Sequence, residues 1–227
     1  MLTADGSTTA DAMALAIGAA NEAEFDRTGL LEADLLRQLG LRGDGALLDV
    51  GCGSGRLAAQ MDGWFTGRYL GVDISAELVA WAKHHYGGRH RSYAVVPDLT
   101  LPADGATFDV VCFFSVLTHL RHEESYLYLA EARRVLRPGG RIVASFLEFG
   151  ERDHWAVFGE MIARRSSDTV THVNQFISLD ALHAWAELAS IELDHVFHGM
   201  TPHIVRSDAD ELGTLGQSVV VFTKPAG

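Results

Sequence analysis

The stretch that decides the fold is 47–58, which reads LLDVGCGSGRLA. Its apolar beginning predicts a short buried strand over 46–50, and its end predicts a helix over 56–61. Between the two, glycines follow the spacing G-x-G-x-G at Gly51, Gly53 and Gly55. Because glycine lacks a Cβ, such a loop can turn sharply and let a ligand approach the backbone closely. The segment therefore predicts a strand, a ligand-binding turn and a helix whose first N–H groups are open to a ligand.

The glycine spacing argues against two familiar nucleotide sites. A dinucleotide-binding loop needs G-x-G-x-x-G, and counting from Gly51 places its third glycine at position 56. That position is Arg56, and the glycine falls at 55 instead. A phosphate-binding P-loop needs Gly-Lys-Ser/Thr, which does not follow here. The loop therefore argues against an NAD-dependent dehydrogenase and excludes a P-loop nucleotide site.

Strands and helices are predicted to alternate on both sides of this loop. Apolar runs predict strands at 46–50, 69–72, 93–96, 108–114, 141–147, 191–197 and 218–223. Helical spacing predicts helices at 10–24, 29–39, 56–61, 76–86, 123–136, 154–165 and 179–189, and a turn is predicted at 138–140 (PGG). The last two strands are expected as an antiparallel pair at one edge. This order predicts an α/β fold with an open, mostly parallel sheet of seven strands.

The composition limits the function classes. The formal net charge is −12 over 227 residues, which argues against a protein that binds nucleic acid or an anionic membrane surface. Cys52 and Cys112 are the two cysteines, too few for a disulfide framework in a chain of this length. The longest apolar run, Ala12–Ala20, is too short to span a membrane, and the first residues lack the Lys or Arg of a secretory signal. We therefore expect a cytoplasmic protein with reduced cysteines.

Two acidic residues stand where predicted strands end. Asp49 ends the first strand and can reach the crevice beyond it. Asp73 ends the second strand, 22 residues after Gly51. A carboxylate at such a strand tip can accept two hydrogen bonds from the hydroxyls of a ribose. The alternative for Asp73 is a capping role at the helix that begins near Ser75.

Several short segments follow one another in a fixed order along the chain. They are DVGCGSG at 49–55, GVDIS at 71–75, VPDL at 96–99, FDVVCFFSVLTHL at 108–120 and RRVLRPGGRIVA at 133–144. In this order they resemble the motifs of the class I S-adenosylmethionine-dependent methyltransferases, whose first motif is an acidic residue followed by G-x-G-x-G. The resemblance covers roughly 41–149, close to half the chain. It implies a Rossmann-like, doubly wound fold with helices on both faces, S-adenosylmethionine as the cofactor and S-adenosylhomocysteine (SAH) as its product.

The resemblance also implies a set of cofactor contacts. The glycine loop would wrap the methionine part of the cofactor, Asp73 would hold the ribose hydroxyls, and Ile74 would lie against the adenine. Asp98, with Leu99 beside it, would reach the adenine edge, and the alternative is a solvated turn aspartate. Ser115 would lie near the methionine end. The implied contacts are Asp49, Gly51, Cys52, Gly53, Gly55, Arg56, Asp73, Ile74, Asp98, Leu99 and Ser115.

The chemistry of methyl transfer directs attention to the histidines. In-line displacement mainly requires that nucleophile, methyl group and sulfur be aligned. A hydroxyl nucleophile also needs a proton acceptor, and histidine is the natural one because its pKa lies near neutrality. His119 directly follows the fourth predicted strand and is the first candidate base, with helix-start packing as the alternative. His154 and His203 are further candidates in the variable part of the chain.

A metal site is not indicated by the sequence. It contains no H-E-x-x-H, C-x-x-C or EF-hand motif. Some small-molecule methyltransferases hold Mg²⁺ with acidic loop residues, and Asp153, Asp168 and Asp180 lie in a comparable region. Scattered surface aspartates are the favoured interpretation, so we expect no metal ligands among them.

The chain is expected to divide into a helical segment and a larger domain. Residues 1–40 are predicted as an N-terminal lid over a methyltransferase domain at 41–227, in which 151–217 carries substrate-side insertions. Phe25 and Arg27 precede a glycine and are candidates for closing over the cofactor and substrate. The alternative for this segment is a plain linker between helices.

The expected function is transfer of a methyl group to an oxygen or nitrogen of a small molecule. The acidic composition and the lack of a docking motif for nucleic acid or protein favour a small acceptor. One alternative is a scaffold that binds S-adenosylmethionine or SAH without turnover. Another is different chemistry on the same cofactor, such as transfer of its aminocarboxypropyl group. The sequence predicts neither the acceptor molecule nor the oligomeric state.

Overall fold

A computed structural model describes Leu15 and residues 19–165 and 174–226 of the chain. Strands and helices alternate through them, as the sequence predicts. The strands are β1 (Ala46–Val50), β2 (Arg68–Asp73), β3 (Arg91–Val95), β4 (Phe108–Phe113), β5 (Leu136–Glu148), β6 (Phe176–Ile177), β7 (Glu192–Phe197), β8 (Ile204–Val205), β9 (Leu212–Gly213) and β10 (Ser218–Thr223). The helices are α1 (Glu22–Gln38), α2 (Arg56–Ala59), α3 (Ala76–Tyr86), α4 (His122–Val135), α5 (Trp155–Arg165) and α6 (Leu179–Ala189).

The central sheet has the order β3-β2-β1-β4-β5-β10-β7, and the short β6 pairs with the end of β5. Strands β1 to β5 pair in parallel, whereas β10 is antiparallel to both β5 and β7. The predicted mostly parallel sheet of seven strands is confirmed, and so is the antiparallel pair at one edge. The order reverses between β1 and β4. In open α/β sheets, ligands bind at such a reversal, beyond the carboxyl ends of the strands.

Helices cover both faces of the sheet, as predicted. On one face, α4 and α6 pack Leu129 and Leu182 against the sheet. On the other face, α1 and α2 contribute Leu36 and Leu57. Every residue of β1 is buried, which is typical of a strand that is covered on both sides.

The N-terminal part differs from the predicted helices at 10–24 and 29–39 with a linker between them. Residues 22–38 form one helix, α1, whose start is capped by the Asn21 side chain and whose end is followed by Gly40 at φ +92°. Gly29 lies inside this helix, where an added Cβ would stand 2.5 Å from the carbonyl oxygen of Arg56. Gly29 therefore lets α1 and α2 pack closely, and it is not a hinge. Most of the predicted helix at 10–24 lies outside the described residues.

The PGG segment at 138–140 also differs from its prediction. It was expected to be a turn before the fifth strand, but β5 runs through it from Leu136. Gly139 has φ +75°, and the backbone on either side pairs with Lys224, with N···O distances of 2.8 and 2.9 Å. The register against β4 shifts at the same place. The glycines therefore form an irregularity inside a paired strand.

No helix among the described residues is long and apolar enough to cross a membrane.

Candidate cofactor site

The glycine loop after β1 depends on backbone conformations that favour glycine. Gly51, Gly53 and Gly55 have φ values of +74°, +54° and +96°. A Cβ on Gly51 would collide with the side chain of Val116, and one on Gly55 would stand 2.5 Å from the ring of Tyr86. The first glycine therefore lets the loop pack against the exit of β4, and the third lets it pack against α3. Gly55 thus has a packing role that the sequence analysis did not anticipate.

The amide groups of this loop are engaged within the chain. The N–H groups donate as follows: Gly51 and Cys52 to the carbonyl of Val72, Gly53 to Asp73 Oδ2, and Gly55 to the carbonyl of Cys52. These bonds tie the end of β1 to the end of β2. The following helix, α2, is a single turn. These four loop amides are therefore not open to a ligand. The expected open N–H groups at the start of the helix stay a prediction.

Asp73 lies at the tip of β2, where the sequence placed it. Its Oδ2 accepts the Gly53 N–H at 2.9 Å, and its Oδ1 accepts the Ser75 N–H at 2.8 Å. The cap of α3 is Ser75, whose hydroxyl accepts from Leu78 N–H, so Asp73 braces the cap residue. A carboxylate has about four acceptor positions, so Asp73 keeps capacity for further donors. Beside it, the side chain of Ile74 is 76% exposed.

Asp49 was predicted to reach the crevice beyond β1, and this prediction is wrong. It is buried, and its carboxylate accepts the Tyr69 hydroxyl at 2.7 Å and the Cys112 thiol at 3.5 Å. Burial raises the pKa of Asp49, the bond from Tyr69 opposes the rise and the charge of Glu32 adds to it, and the resulting pKa is about 7. Cys52 is buried as well, and burial raises the pKa of its thiol. Both side chains brace the sheet beneath the loop.

Arg56 forms a buried ion pair that the sequence analysis missed. Its guanidinium donates to both carboxylate oxygens of Glu32 on α1, through Nε at 3.2 Å and through Nη2. The two side chains are 13% and 3% exposed. Burial raises the pKa of Glu32, and the charge of Arg56 opposes that rise. No motif marks Glu32, although its spacing from Leu36 places it on the buried face of α1.

Asp98 and Leu99 lie in the segment that follows β3. Asp98 is exposed, and its Oδ1 accepts the N–H of Thr100 at 2.9 Å, which closes a local turn. Leu99 is partly buried against the core. Asp98 therefore closes a turn, and because its carboxylate is exposed, the predicted contact with adenine also stays open.

A cavity of about 240 Å³ lies beside the glycine loop at the carboxyl edge of the sheet. Its lining comes from α1, α2, the exit of β4 and the segments before β6 and β10. Three of the predicted site residues line it: Arg56, Ser115 and His119. Six lining residues were not singled out from the sequence: Ala19, Glu24, Thr28, Thr118, Asn174 and Gln217. Most of these side chains are polar, so the cavity suits a ligand that forms hydrogen bonds.

The three candidate histidines lie in different environments. His119 is exposed and lines the cavity, at the end of a single helical turn after β4. His154 is buried, and its Nδ1 accepts the Glu148 N–H at 2.9 Å while its Nε2 contacts the Gly216 carbonyl at 2.9 Å. Both of its ring nitrogens are engaged with backbone, so His154 is corrected from a candidate base to a packing residue.

His203 lies away from the cavity lining. Its ring stacks on Phe197 at 4.4 Å, and its Nδ1 contacts the carbonyl of Thr201 at 2.8 Å. Burial lowers the pKa of its imidazole. Because it does not line the cavity, its role as a base stays a prediction.

The two lid candidates are corrected in part. Phe25 is buried on α1 against Ala19 and Ala59, so it does not face the cavity. Arg27 is exposed, with its guanidinium 3.9 Å from Glu24. The helix that carries them does border the cavity, but through Glu24 and Thr28. A closing movement of this helix stays a prediction.

A separate cluster lies beyond the end of β5. Glu148, Glu151 and His198 place possible metal-ligand atoms within 4.8 Å of one another. In this structure the buried Glu148 carboxylate accepts the Ser218 hydroxyl at 2.7 Å and contacts His198 Nδ1 at 2.8 Å. These contacts account for the arrangement without an ion, and we assign it no chemistry.

Comparisons with known proteins agree with the geometry. A family model described as a methyltransferase domain matches residues 48–144. The chain is 34% identical over 123 residues to the O-methyltransferase cnsE of Penicillium expansum, covering 50% of this chain and 43% of that protein. It is 32% identical over 174 residues to a ubiquinone biosynthesis O-methyltransferase of Cereibacter sphaeroides, covering 75% of this chain and 66% of that protein. The chain thus spans about two thirds or less of the length of these relatives.

The fold has solved counterparts. Magnesium protoporphyrin IX methyltransferase from Synechocystis, solved with bound SAH, superposes with a TM-score of 0.62 at 16% identity, over 91% of this chain and 89% of that one. At this identity the likeness concerns the fold alone. Together with the ordered motifs at 49–144 and the sheet that reverses at the glycine loop, these matches establish that the chain belongs to the class I S-adenosylmethionine-dependent methyltransferases.

Proposed function

We propose that this protein transfers the methyl group of S-adenosylmethionine to an oxygen or nitrogen of a small molecule bound in the cavity. The observation that carries the proposal is the meeting of Arg56, Ser115 and His119 on one cavity at the switch point of the sheet. The two relatives described above are named O-methyltransferases, which favours an oxygen acceptor.

The crevice fits this cofactor in three respects. The glycine loop lies beside the cavity at the end of β1, and side chains on its two outer glycines would collide with Val116 and Tyr86. Asp73 ends β2 with acceptor capacity left for ribose hydroxyls. Ile74 leaves an apolar surface exposed next to it, suited to an adenine face. These features support Asp73 and Ile74 as cofactor contacts.

When bound, the cofactor supplies an electrophilic methyl group on its sulfonium. The residues of the chain then have to hold the acceptor in line with that group, and alignment alone can supply roughly 7–11 kcal/mol of the barrier in favourable cases. The polar cavity lining provides hydrogen bonds for this task. We assign His119 the role of accepting the proton when the acceptor is a hydroxyl, because it lines the cavity and is exposed to it.

The first experiment measures SAH binding by calorimetry to the wild type, Gly53→Val and Asp73→Ala. Gly53 has a positive φ that a β-branched residue rarely adopts, and Asp73 braces the loop, so both variants should bind at least about tenfold more weakly. Asp44→Ala is the control, since Asp44 pairs with Arg42 on the amino side of β1. Unchanged affinity in both loop variants contradicts the proposed cofactor site.

The second experiment screens acceptor molecules with radiolabelled S-adenosylmethionine and then compares His119→Ala with the wild type. For a hydroxyl acceptor, kcat should fall by about a hundredfold or more. An unchanged kcat removes His119 from the base role. Binding of SAH without methylation of any acceptor, or label found in a different product, would favour the scaffold or the alternative cofactor chemistry.

A further inference from the structure

Three residues form a closed ring of hydrogen bonds at the floor of the cavity, through three side chains and one backbone N–H. The backbone N–H of Ser115 donates to the Ser145 hydroxyl at 2.7 Å. That hydroxyl donates to Gln217 Oε1 at 2.7 Å. The amide of Gln217 returns to the Ser115 hydroxyl, with Nε2 at 3.3 Å from Oγ. The segment after β4, the strand β5 and the segment before β10 are thereby joined at one point.

The hydrogen bonds give the ring a direction. A backbone N–H can only donate, so the Ser145 oxygen accepts from Ser115, and its own proton goes to Gln217. The carbonyl oxygen of Gln217 faces Ser145, and its NH₂ faces Ser115. Because the Ser115 hydroxyl accepts from this NH₂, its own proton is left to point out of the ring. Ser115 and Gln217 both line the cavity, whereas Ser145 is 2% exposed.

The backbone conformation of Ser115 also indicates that the ring holds this residue in place. Ser115 has φ +59°, a left-handed conformation that is uncommon outside glycine. Such conformations persist where neighbouring structure holds them, and they occur often at ligand sites. Here the holding group is Ser145, through the Ser115 N–H. The ring therefore sets both the backbone and the hydroxyl of Ser115.

We propose that Gln217 is a positioning residue, which acts with Ser145 to present the Ser115 hydroxyl as a hydrogen-bond donor to the carboxylate at the amino-acid end of the cofactor. This proposal rests on the proposed function, in which Ser115 lies near the methionine end. The outward proton of the Ser115 hydroxyl matches the carboxylate, which is the hydrogen-bond acceptor at that end of the cofactor.

The test replaces the side-chain amide of Gln217 with groups of similar size that cannot donate a hydrogen bond. Gln217→Glu can only accept at neutral pH, so it draws the Ser115 proton into the ring and places a negative charge beside the ligand carboxylate. Gln217→Met keeps a similar length and forms no such bond. Calorimetry compares two probes: SAH, which carries the amino-acid end, and 5′-methylthioadenosine, which lacks it. In both variants SAH affinity should fall by about tenfold or more, while 5′-methylthioadenosine affinity stays within about twofold.

Controls separate positioning from packing and from the parent proposal. Gln38→Glu makes the same change of charge at an amide that bonds to the backbone of His203 and Val205, away from the cavity lining, and should leave SAH affinity unchanged. Melting temperatures check that the variants fold. Full SAH affinity in Gln217→Glu and Gln217→Met, or equal loss for both probes, overturns the positioning role. A wild type that does not bind SAH overturns the proposed function instead.

Discussion

At the residue scale, the most unusual group is the buried carboxyl of Asp49. It lies between neighbouring strands, where Tyr69 and Cys112 donate to it. Burial moves its pKa from an ordinary value of 3.8 to about 7. The folded protein therefore holds this proton more tightly than the unfolded chain does. The stability associated with the proton is present below about pH 4 and is lost as the pH rises through about 7.

Asp49→Asn should remove this part of the pH dependence. Between about pH 5 and about pH 8, the free energy of unfolding of the wild type should fall by about 3 kcal/mol relative to the variant. Asparagine keeps an oxygen that accepts from Tyr69, so the local geometry survives. Urea denaturation at the two pH values measures the difference, and parallel pH profiles for both proteins would show that Asp49 is not the titrating group.

The ion pair between Glu32 and Arg56 gives a second prediction at this scale. Glu32→Ala leaves the guanidinium of Arg56 buried without its partner, which should cost about 3–5 kcal/mol of unfolding free energy. Replacing both residues, as Glu32→Leu with Arg56→Met, should recover most of the loss. Denaturant unfolding measures both, with Asp44→Ala as the control, because the pair of Asp44 and Arg42 is exposed to solvent and should contribute little to stability. A cost for Glu32→Ala no larger than this control's contradicts the prediction.

At the scale of elements, the contact between α1 and α2 is set by a missing side chain. Gly29 lies inside α1, where an added Cβ would stand 2.5 Å from the Arg56 carbonyl oxygen. A glycine inside a helix ordinarily weakens it by roughly 1 kcal/mol relative to alanine. Glycine is needed at position 29 because α1 and α2 pack closely there, and both helices border the cavity.

Gly29→Ala and Gly159→Ala should therefore have opposite effects. Gly159 lies inside α5 with no atom within 4 Å of an added Cβ, so alanine there should stabilise the protein by roughly 0.5–1 kcal/mol. Gly29→Ala should destabilise it, because the new Cβ forces α1 away from Arg56. Melting temperatures of the two variants provide the measurement, and stabilisation by both would mean that the close contact is absent.

Elements with strong local signals could be predicted from the sequence, and those fixed by distant neighbours could not. The helices at 76–86 and 179–189 and the strand at 218–223 have their predicted bounds. The strand through the PGG segment was missed because its pairing partner is Lys224, far along the chain. The same holds for the site: the glycine loop has a local motif, whereas Glu32, Ser145 and Gln217 gain their roles only from tertiary neighbours.

At the scale of the whole molecule, the cavity joins segments that are distant in sequence. Glu24 on α1 and Gln217 before β10 line the same space, with Ser115 and Arg56 between them. A ligand that fills this space and the adjoining crevice couples these segments, so its binding free energy adds to the stability of the folded chain.

SAH should therefore raise the melting temperature in a concentration-dependent way. At about 100 times its dissociation constant the added stability is about 2.7 kcal/mol. For a chain of this size that corresponds to roughly 5–10 °C. Thermal denaturation at increasing SAH measures the shift. Asp73→Ala should need higher SAH for the same shift, and a melting temperature that does not depend on SAH would contradict the coupling.

The place of β10 in the sheet has a consequence for biosynthesis. Within the described residues, β7 pairs only with β10, and β10 is what joins it to β5. During translation β7 therefore emerges from the ribosome before its hydrogen-bonding partner exists, and it must wait for residues 218–223. Gln217 is made just ahead of that strand, so the floor of the cavity and the edge of the sheet are completed in the same late step. A nascent chain that ends before Gln217 carries the glycine loop but lacks the ring that sets Ser115.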